Sequence, residues 1–292
     1  MIAVGGASWS ITDDAHANEP RSIATIHAAL DAGVRVIDTA RAYTTVDDGA
    51  HNEKLIARAL VAYGSERLDA QHITVVTKGG HYRLSHDVWA EDGSPAALRA
   101  DVESSLDALG VDRLDVFLLH KPDARVPIEE SIGAIAELQA EGKIERIGVS
   151  NVDTELLSRA LAEAPLDAVE NSFSPFRQDD RPVLEQATAL GMTYFAYSPL
   201  KSERGLAGSR DVFPESLAIA DSLGISPQQL WLAWLQHQSP VLVPVVGSTS
   251  PATITDSAAA ASLALPSDCW PTLERELAEL LQPTSQKQEL PS

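Results

Sequence analysis

Four residues suited to acid–base work on a carbonyl fall at or just beyond the ends of short apolar runs. Asp38 closes Val36-Ile37-Asp38, with Tyr43 soon after; Lys78 ends Val75-Val76-Thr77-Lys78; His120 ends Phe117-Leu118-Leu119-His120. A tyrosine hydroxyl can donate a proton to a developing alkoxide, but an ordinary pKa near about 10 makes it a reluctant acid. A neighbouring ammonium favours the phenolate and lowers that pKa. Lys78 can supply the ammonium, Asp38 can keep the lysine charged, and His120 can donate a hydrogen bond that orients the substrate oxygen. Each residue alone has a bland explanation: Asp38 a buried cap, Tyr43 a loop aromatic, His120 a satisfied core histidine. Lys78 is harder to dismiss, because unpaired buried lysines are rare. The joint pattern on successive strand ends is far less common by chance than any one member.

The elements that must position these residues alternate without a break. Strands are expected at 2–6, 35–39, 73–78, 115–119, 147–150, 168–173, 193–197 and 241–246. Helices are expected at 22–32, 52–62, 95–109, 128–140, 153–164, 182–190, 214–223, 228–237 and 253–261, and an extra one at 270–281. Eight strands, each followed by a helix, predict an α/β fold of the (β/α)8 barrel type, whose active sites form at the C-terminal strand ends. Residues 1–282 are expected to form one domain and 283–292 a polar, mobile tail. A doubly wound sheet would want a G-x-G-x-x-G turn after the first strand; Gly5-Gly6 lacks that spacing.

Composition narrows the partners. The chain has 292 residues, 42 acids and 22 bases, for a formal charge of −20, which disfavours nucleic acid and anionic membrane. No apolar stretch approaches the roughly 18 residues of a membrane span, and no signal peptide is seen. One cysteine, Cys269, leaves no internal disulfide and no Cys-based zinc cluster, which suits a reducing cytoplasm. The histidine spacings fit no zinc signature, so no metal is expected. No obligatory protein partner is implied.

Several spaced motifs resemble the aldo-keto reductase family. Val36-Ile37-Asp38-Thr39-Ala40 with Tyr43 and His51-Asn52-Glu53 is similar to its D-T-A-x-x-Y…N-E signature; Thr77-Lys78 and Leu118-Leu119-His120 are similar to its lysine and histidine strands. Glu141-Gly142-Lys143-Ile144 through Ile147-Gly148-Val149-Ser150-Asn151 is similar to its E-G-K-x-x-x-I-G-[VL]-S-N stretch. The resemblance runs from about Gly5 to about Ser257. It implies reversible, NAD(P)H-dependent reduction of an aldehyde or ketone, with Tyr43 as proton donor, Lys78 and Asp38 tuning it, and His120 orienting the carbonyl. It further implies cofactor contacts from Ser150, Asn151, Glu170, Tyr197, Ser198, Pro199, Leu200, Lys201, Gly247, Ser248, Thr249, Thr253 and Asp256.

Two departures from the family pattern carry chemistry. Glu170 stands where a glutamine is usual; a carboxylate there accepts but cannot donate, and its charge would favour the cationic oxidised nicotinamide. No lysine or arginine lies between Arg210 and Arg275, where NADPH-preferring members place a cation for the 2′-phosphate. NADP(H) is the family's cofactor, and this gap opens the way to NAD(H), with Lys201 and Arg204 as alternative cations. Trp9, His81, Tyr82, Trp89 and Phe173 are candidates for the substrate pocket, with Lys121 adding positive potential at its mouth; Trp231 and Trp234 read as core. Two other functions stay open: a barrel lyase or aldolase using Lys78 as Schiff-base nucleophile, and a cofactor-sensing regulatory subunit.

Overall fold

The apolar runs are buried on both faces, as strands of a parallel sheet covered by helices must be. The structure, a computed structural model, describes residues 1–45, 47–64, 73–86, 88–201 and 205–282. Its strands are β1 (Ala3–Gly5), β2 (Val36–Asp38), β3 (Thr74–Gly79), β4 (His81–Arg83), β5 (Trp89–Glu91), β6 (Leu114–Leu119), β7 (Ile144–Ser150), β8 (Ala168–Ser172), β9 (Thr193–Tyr197) and β10 (Leu242–Gly247). Eight of them close a parallel barrel in the order β1-β10-β9-β8-β7-β6-β3-β2. The helices are α1 (Ala15–Asp31), α2 (His51–Tyr63), α3 (Pro95–Leu109), α4 (Ile128–Ala140), α5 (Thr154–Glu163), α6 (Arg181–Leu190), α7 (Pro214–Leu223), α8 (Pro227–Gln238), α9 (Pro251–Ala259) and α10 (Trp270–Leu281). The chain is one (β/α)8 domain, as its alternation predicts.

Local chemistry explains the boundaries. Ser94 accepts from Ala97 N at 3.3 Å and Pro95 opens α3, while Gly110, at φ 69°, ends it in the left-handed region. Ser226 and Gln229 form a reciprocal capping box at the start of α8. The buried Glu276 carboxylate on α10 accepts from Glu215 N and Ser216 N at 3.0 and 2.9 Å, so the extra helix caps α7. α1 starts at Ala15, seven residues before its expected start at residue 22, and runs through Pro20. As the sixth residue of the helix, Pro20 leaves the His16 carbonyl without its intrahelical donor, and the helix continues past it. The second difference is β4 and β5, an antiparallel hairpin inserted after β3 and pairing His81 with Glu91. No glycine or Asn-Gly turn announces it. Among the described residues no helix is long and apolar enough to cross a membrane. The expected tail, 283–292, and Arg204 lie outside the described residues.

Two apolar layers follow from strand alternation. Ala3, Val36, Val76, Val116, Leu118, Ala168, Phe195, Val243 and Val245 fill the barrel interior. Their neighbours Ile37, Phe117, Leu119, Ile147, Val149, Val169, Tyr194 and Ala196 pack outward against the helices. Side chains along a strand alternate faces. The position two residues beyond each interior residue therefore points inward again, one layer nearer the C-terminal rim.

Candidate active site

That next inward layer holds most of the candidate site residues. Two residues beyond Val36, Val76, Leu118, Ala168, Phe195 and Val245 stand Asp38, Lys78, His120, Glu170, Tyr197 and Gly247. Above them opens a cavity of about 620 Å³ lined by Asp38, Tyr43, His120, Ser150, Asn151, Glu170, Tyr197, Ser198, Pro199, Leu200, Lys201 and Gly247, together with Gly5, Ala7, Ser8, His81, Lys121, Val245 and Val246. Lys78 lies beneath it, fully buried.

The Lys78 ammonium is the hub. It donates to Asp38 Oδ2, and to Thr39 O at 3.0 Å, and lies 3.2 Å from Glu170 Oε1. It also sits 5.4 Å from the Tyr43 ring centre. Burial opposes its charge, but Asp38 and Glu170 outweigh burial and hold its pKa above the ordinary lysine value. Burial likewise pushes Asp38 up, against the pull of Lys78, and pushes Glu170 well up, reinforced by the charge of Asp38. The two carboxyls are within hydrogen-bonding reach of each other. Glu170 Oε2 receives no donor from the protein. Two carboxyls around one ammonium in a dry site push each other's pKa up, Glu170 the further. This upward push works against the full charge on which the expected preference for oxidised nicotinamide rests.

Tyr43 also differs from expectation. Lys78 does draw its pKa down, but burial, with Asp38 and Glu170, wins and holds the hydroxyl above its ordinary value. Tyr43 packs edge to face on His120, ring centres 5.8 Å apart. Burial, then Lys78, His81 and Lys121, push His120 well below the ordinary histidine pKa, so its imidazole is neutral. His120 Nδ1 and Ser8 Oγ are buried polar atoms without a protein partner. Beside them Tyr197 donates to Asn151 Oδ1 at 2.7 Å, and Asn151 Nδ2 to His120 O at 2.9 Å. Asn151 and Ser198 hold positive φ of 58° and 53°, a strained geometry for non-glycine residues that turns the chain at the cavity wall.

Other expected residues lie elsewhere. Phe173 is one position out of phase with Ala168 and Glu170, so it points out of the barrel and packs on Tyr194. Trp9 is buried, donating from its indole to Ser248 O at 2.7 Å, and braces the β10 loop rather than the cavity. Trp89 stacks on His81 at 5.2 Å, behind the cavity wall. Tyr82 donates to Asp101. Asp256 accepts from Ser226 Oγ and Gln229, tying α9 to α8. Buried Ser248 and exposed Thr249 and Thr253 stand off the cavity lining, by the start of α9. Lys121 is paired with Glu91 at 2.6 Å. Trp231 and Trp234 are core, as expected. Ala7 and Ser8, from a turn of 3-10 helix after β1, line the cavity without having been anticipated, because small residues carry no chemical signal in sequence.

A closed parallel barrel with a buried lysine–carboxylate centre at its C-terminal rim defines a barrel enzyme scaffold. The chain belongs to the Aldo/keto reductase family, matching it over residues 1–277. It is 28% identical over 277 residues to an uncharacterized oxidoreductase of Schizosaccharomyces pombe, covering 94% of this chain and 86% of that one. Among solved structures it superposes on an aldo/keto reductase from Klebsiella pneumoniae in complex with NADP and acetate (TM-score 0.77, 25% identity, 94% and 90% of the two chains). A glycerol dehydrogenase from Gluconobacter oxydans shares the fold (TM-score 0.81, 24% identity, 99% and 95%).

Proposed function

We propose that this chain is an oxidoreductase that interconverts a small aldehyde or ketone and its alcohol using a nicotinamide cofactor. One observation carries the reading: a buried lysine, kept charged by acids, lies below Tyr43 and His120 on the floor of one cavity. A nicotinamide bound in this cavity would supply the hydride for the carbonyl carbon. Tyr43 gives its hydroxyl proton to the carbonyl oxygen, and Lys78 stabilises the phenolate left behind. Neutral His120 donates a hydrogen bond to that oxygen and fixes its direction. Because burial keeps Tyr43 protonated, the resting site is set for reduction; alcohol oxidation needs the phenolate first.

The cavity suits a dinucleotide's polar head. Ser8 Oγ and His120 Nδ1 are unpartnered there, and Ser150, Asn151 and Tyr197 present polar groups beside them. The Klebsiella pneumoniae relative, solved with NADP, supports the same cofactor class. The absence of lysine and arginine between Arg210 and Arg275 supports weak discrimination between NADPH and NADH, with Lys201 at the cavity as the available cation. Lys78 does not fit a Schiff-base role: a nucleophilic lysine needs a lowered pKa, and this one is raised. The proposed partner is thus a small molecule, and the proposed location the cytoplasm.

Fluorescence titration with NADPH and NADH side by side, joined to turnover of simple aldehydes, tests the proposal. Wild type is expected to bind at least one cofactor saturably. Tyr43→Phe is expected to retain that binding and lose about 10²–10⁴-fold in reduction. No binding of either cofactor, or wild-type turnover by Tyr43→Phe, overturns it.

A further inference from the structure

Two imidazoles and a carboxylate converge at the starts of α1 and α2, away from the cavity. His16 Nδ1 and Glu19 Oε1, one turn apart on α1, are 3.4 Å apart. His51 Nε2, from the first residue of α2, lies 2.9 Å from the same Glu19 oxygen. The two imidazoles meet edge to face with centres 4.7 Å apart, and one ligand atom from each of the three residues lies within 4.8 Å of the others. A tetrahedral zinc ion with bonds of about 2.0–2.1 Å spaces its ligands at roughly 3.3 Å. The gaps from Glu19 Oε1 to the two imidazoles, 2.9 and 3.4 Å, bracket that spacing.

The outer atoms of all three groups are already engaged. His16 Nε2 lies 3.0 Å from Asp47 Oδ1, His51 Nδ1 lies 2.8 Å from Ser10 Oγ, and Glu19 Oε2 accepts from Arg58 at 2.7 Å. Each partner takes the distal atom, so His16 Nδ1, His51 Nε2 and Glu19 Oε1 are left facing one another. Partners that fix ring orientation in this way accompany metal-binding histidines. His51 is buried while His16 is half exposed, which leaves an approach from solvent and room for a water ligand.

We propose that His16, Glu19 and His51 form a binding site for a divalent first-row transition ion, with zinc as its probe. Two imidazoles and one carboxylate suit zinc, whereas magnesium and calcium prefer oxygen alone. The ion would clamp α1 to α2. Ser10, which braces His51, also accepts from Asn52 at 2.7 Å, and Asn52 accepts from Thr39 at 2.7 Å, so the clamp adjoins the segment that carries Asp38. In sequence the set is hidden: an H-x-x-E pair and a histidine on another helix match no zinc motif.

Calorimetric titration of the untagged, chelator-stripped full chain with zinc chloride, and separately with magnesium chloride, tests the site. One zinc per chain is expected, with no saturable magnesium uptake. His16→Ala, on the exposed side, and Glu19→Gln are each expected to weaken zinc by about tenfold or more. X-ray absorption of the zinc form should show two imidazoles with bonds near about 2.0 Å. Absence of saturable zinc uptake, uptake unchanged in His16→Ala, or a spectrum without two imidazoles would overturn the proposal. None of these readouts depends on catalysis.

Discussion

Replacing Glu170 by glutamine probes the charge on the floor of the site. Asp38 and Glu170 share one ammonium, and burial raises both carboxyls, Glu170 the further. A neutral Glu170 would leave the three groups without net charge. In the unfolded chain Glu170 ionises near about pH 4.3. Between that value and its raised folded value the native state binds the extra proton. The stability it contributes is therefore complete below about pH 4.3 and is lost as pH rises, by about 1.4 kcal/mol per pH unit, until folded Glu170 ionises. Glutamine keeps the shape, accepts from Lys78, donates to Asp38 and does not titrate. Glu170→Gln should thus gain on wild type progressively above about pH 4.3, at that slope, in urea unfolding. Activity should run in parallel: near-equal reduction where Glu170 is protonated, and an unchanged ratio of affinities for oxidised and reduced cofactor. A constant stability difference across pH, or a variant crippled at the acid end, would refute a neutral Glu170.

Asp38→Asn should cost less than the about 3–5 kcal/mol of a stripped buried ion pair, because Glu170 can ionise in its place; adding Glu170→Gln should bring the full loss. Equal losses in the single and double variants, measured by denaturant unfolding, would mean Glu170 is no reserve counter-ion. Reduction should stay flat as pH crosses the ordinary histidine range near about 6.5, since His120 is already neutral, while alcohol oxidation climbs with pH as Tyr43 deprotonates. A steady-state pH profile with a strong break near that value would contradict the His120 assignment. Gly148→Ala would place a Cβ 2.1 Å from Ala168 O, a backbone clash between β7 and β8. A loss of about 3 kcal/mol or more is expected in urea unfolding, and wild-type stability would show that the two strands can part.

How much of this was legible in sequence depends on the range of the interaction. Strands and helices announce themselves through periodicity and caps, so α3 and α4 fall on their expected limits, and the catalytic candidates emerge because their chemical types sit on strand ends. The β4–β5 hairpin escapes because no glycine or Asn-Gly pair marks its turn. Parity separates the pocket candidates. Glu170 is in phase with Ala168 and reaches Lys78; Phe173, three residues on, is out of phase and leaves the barrel interior. That parity was available in the sequence once Ala168 was taken as inward, and it would have moved Phe173 to the helix layer. What no single strand could reveal is the direction in which Tyr43 and Glu170 shift. Each depends on burial plus charges brought from β2, β3 and β8, and closure of the barrel sets Asp38, Lys78 and Glu170 around one point. Burial sets the sign for Tyr43, and the charges of Asp38 and Glu170 add to it against the pull of the one lysine.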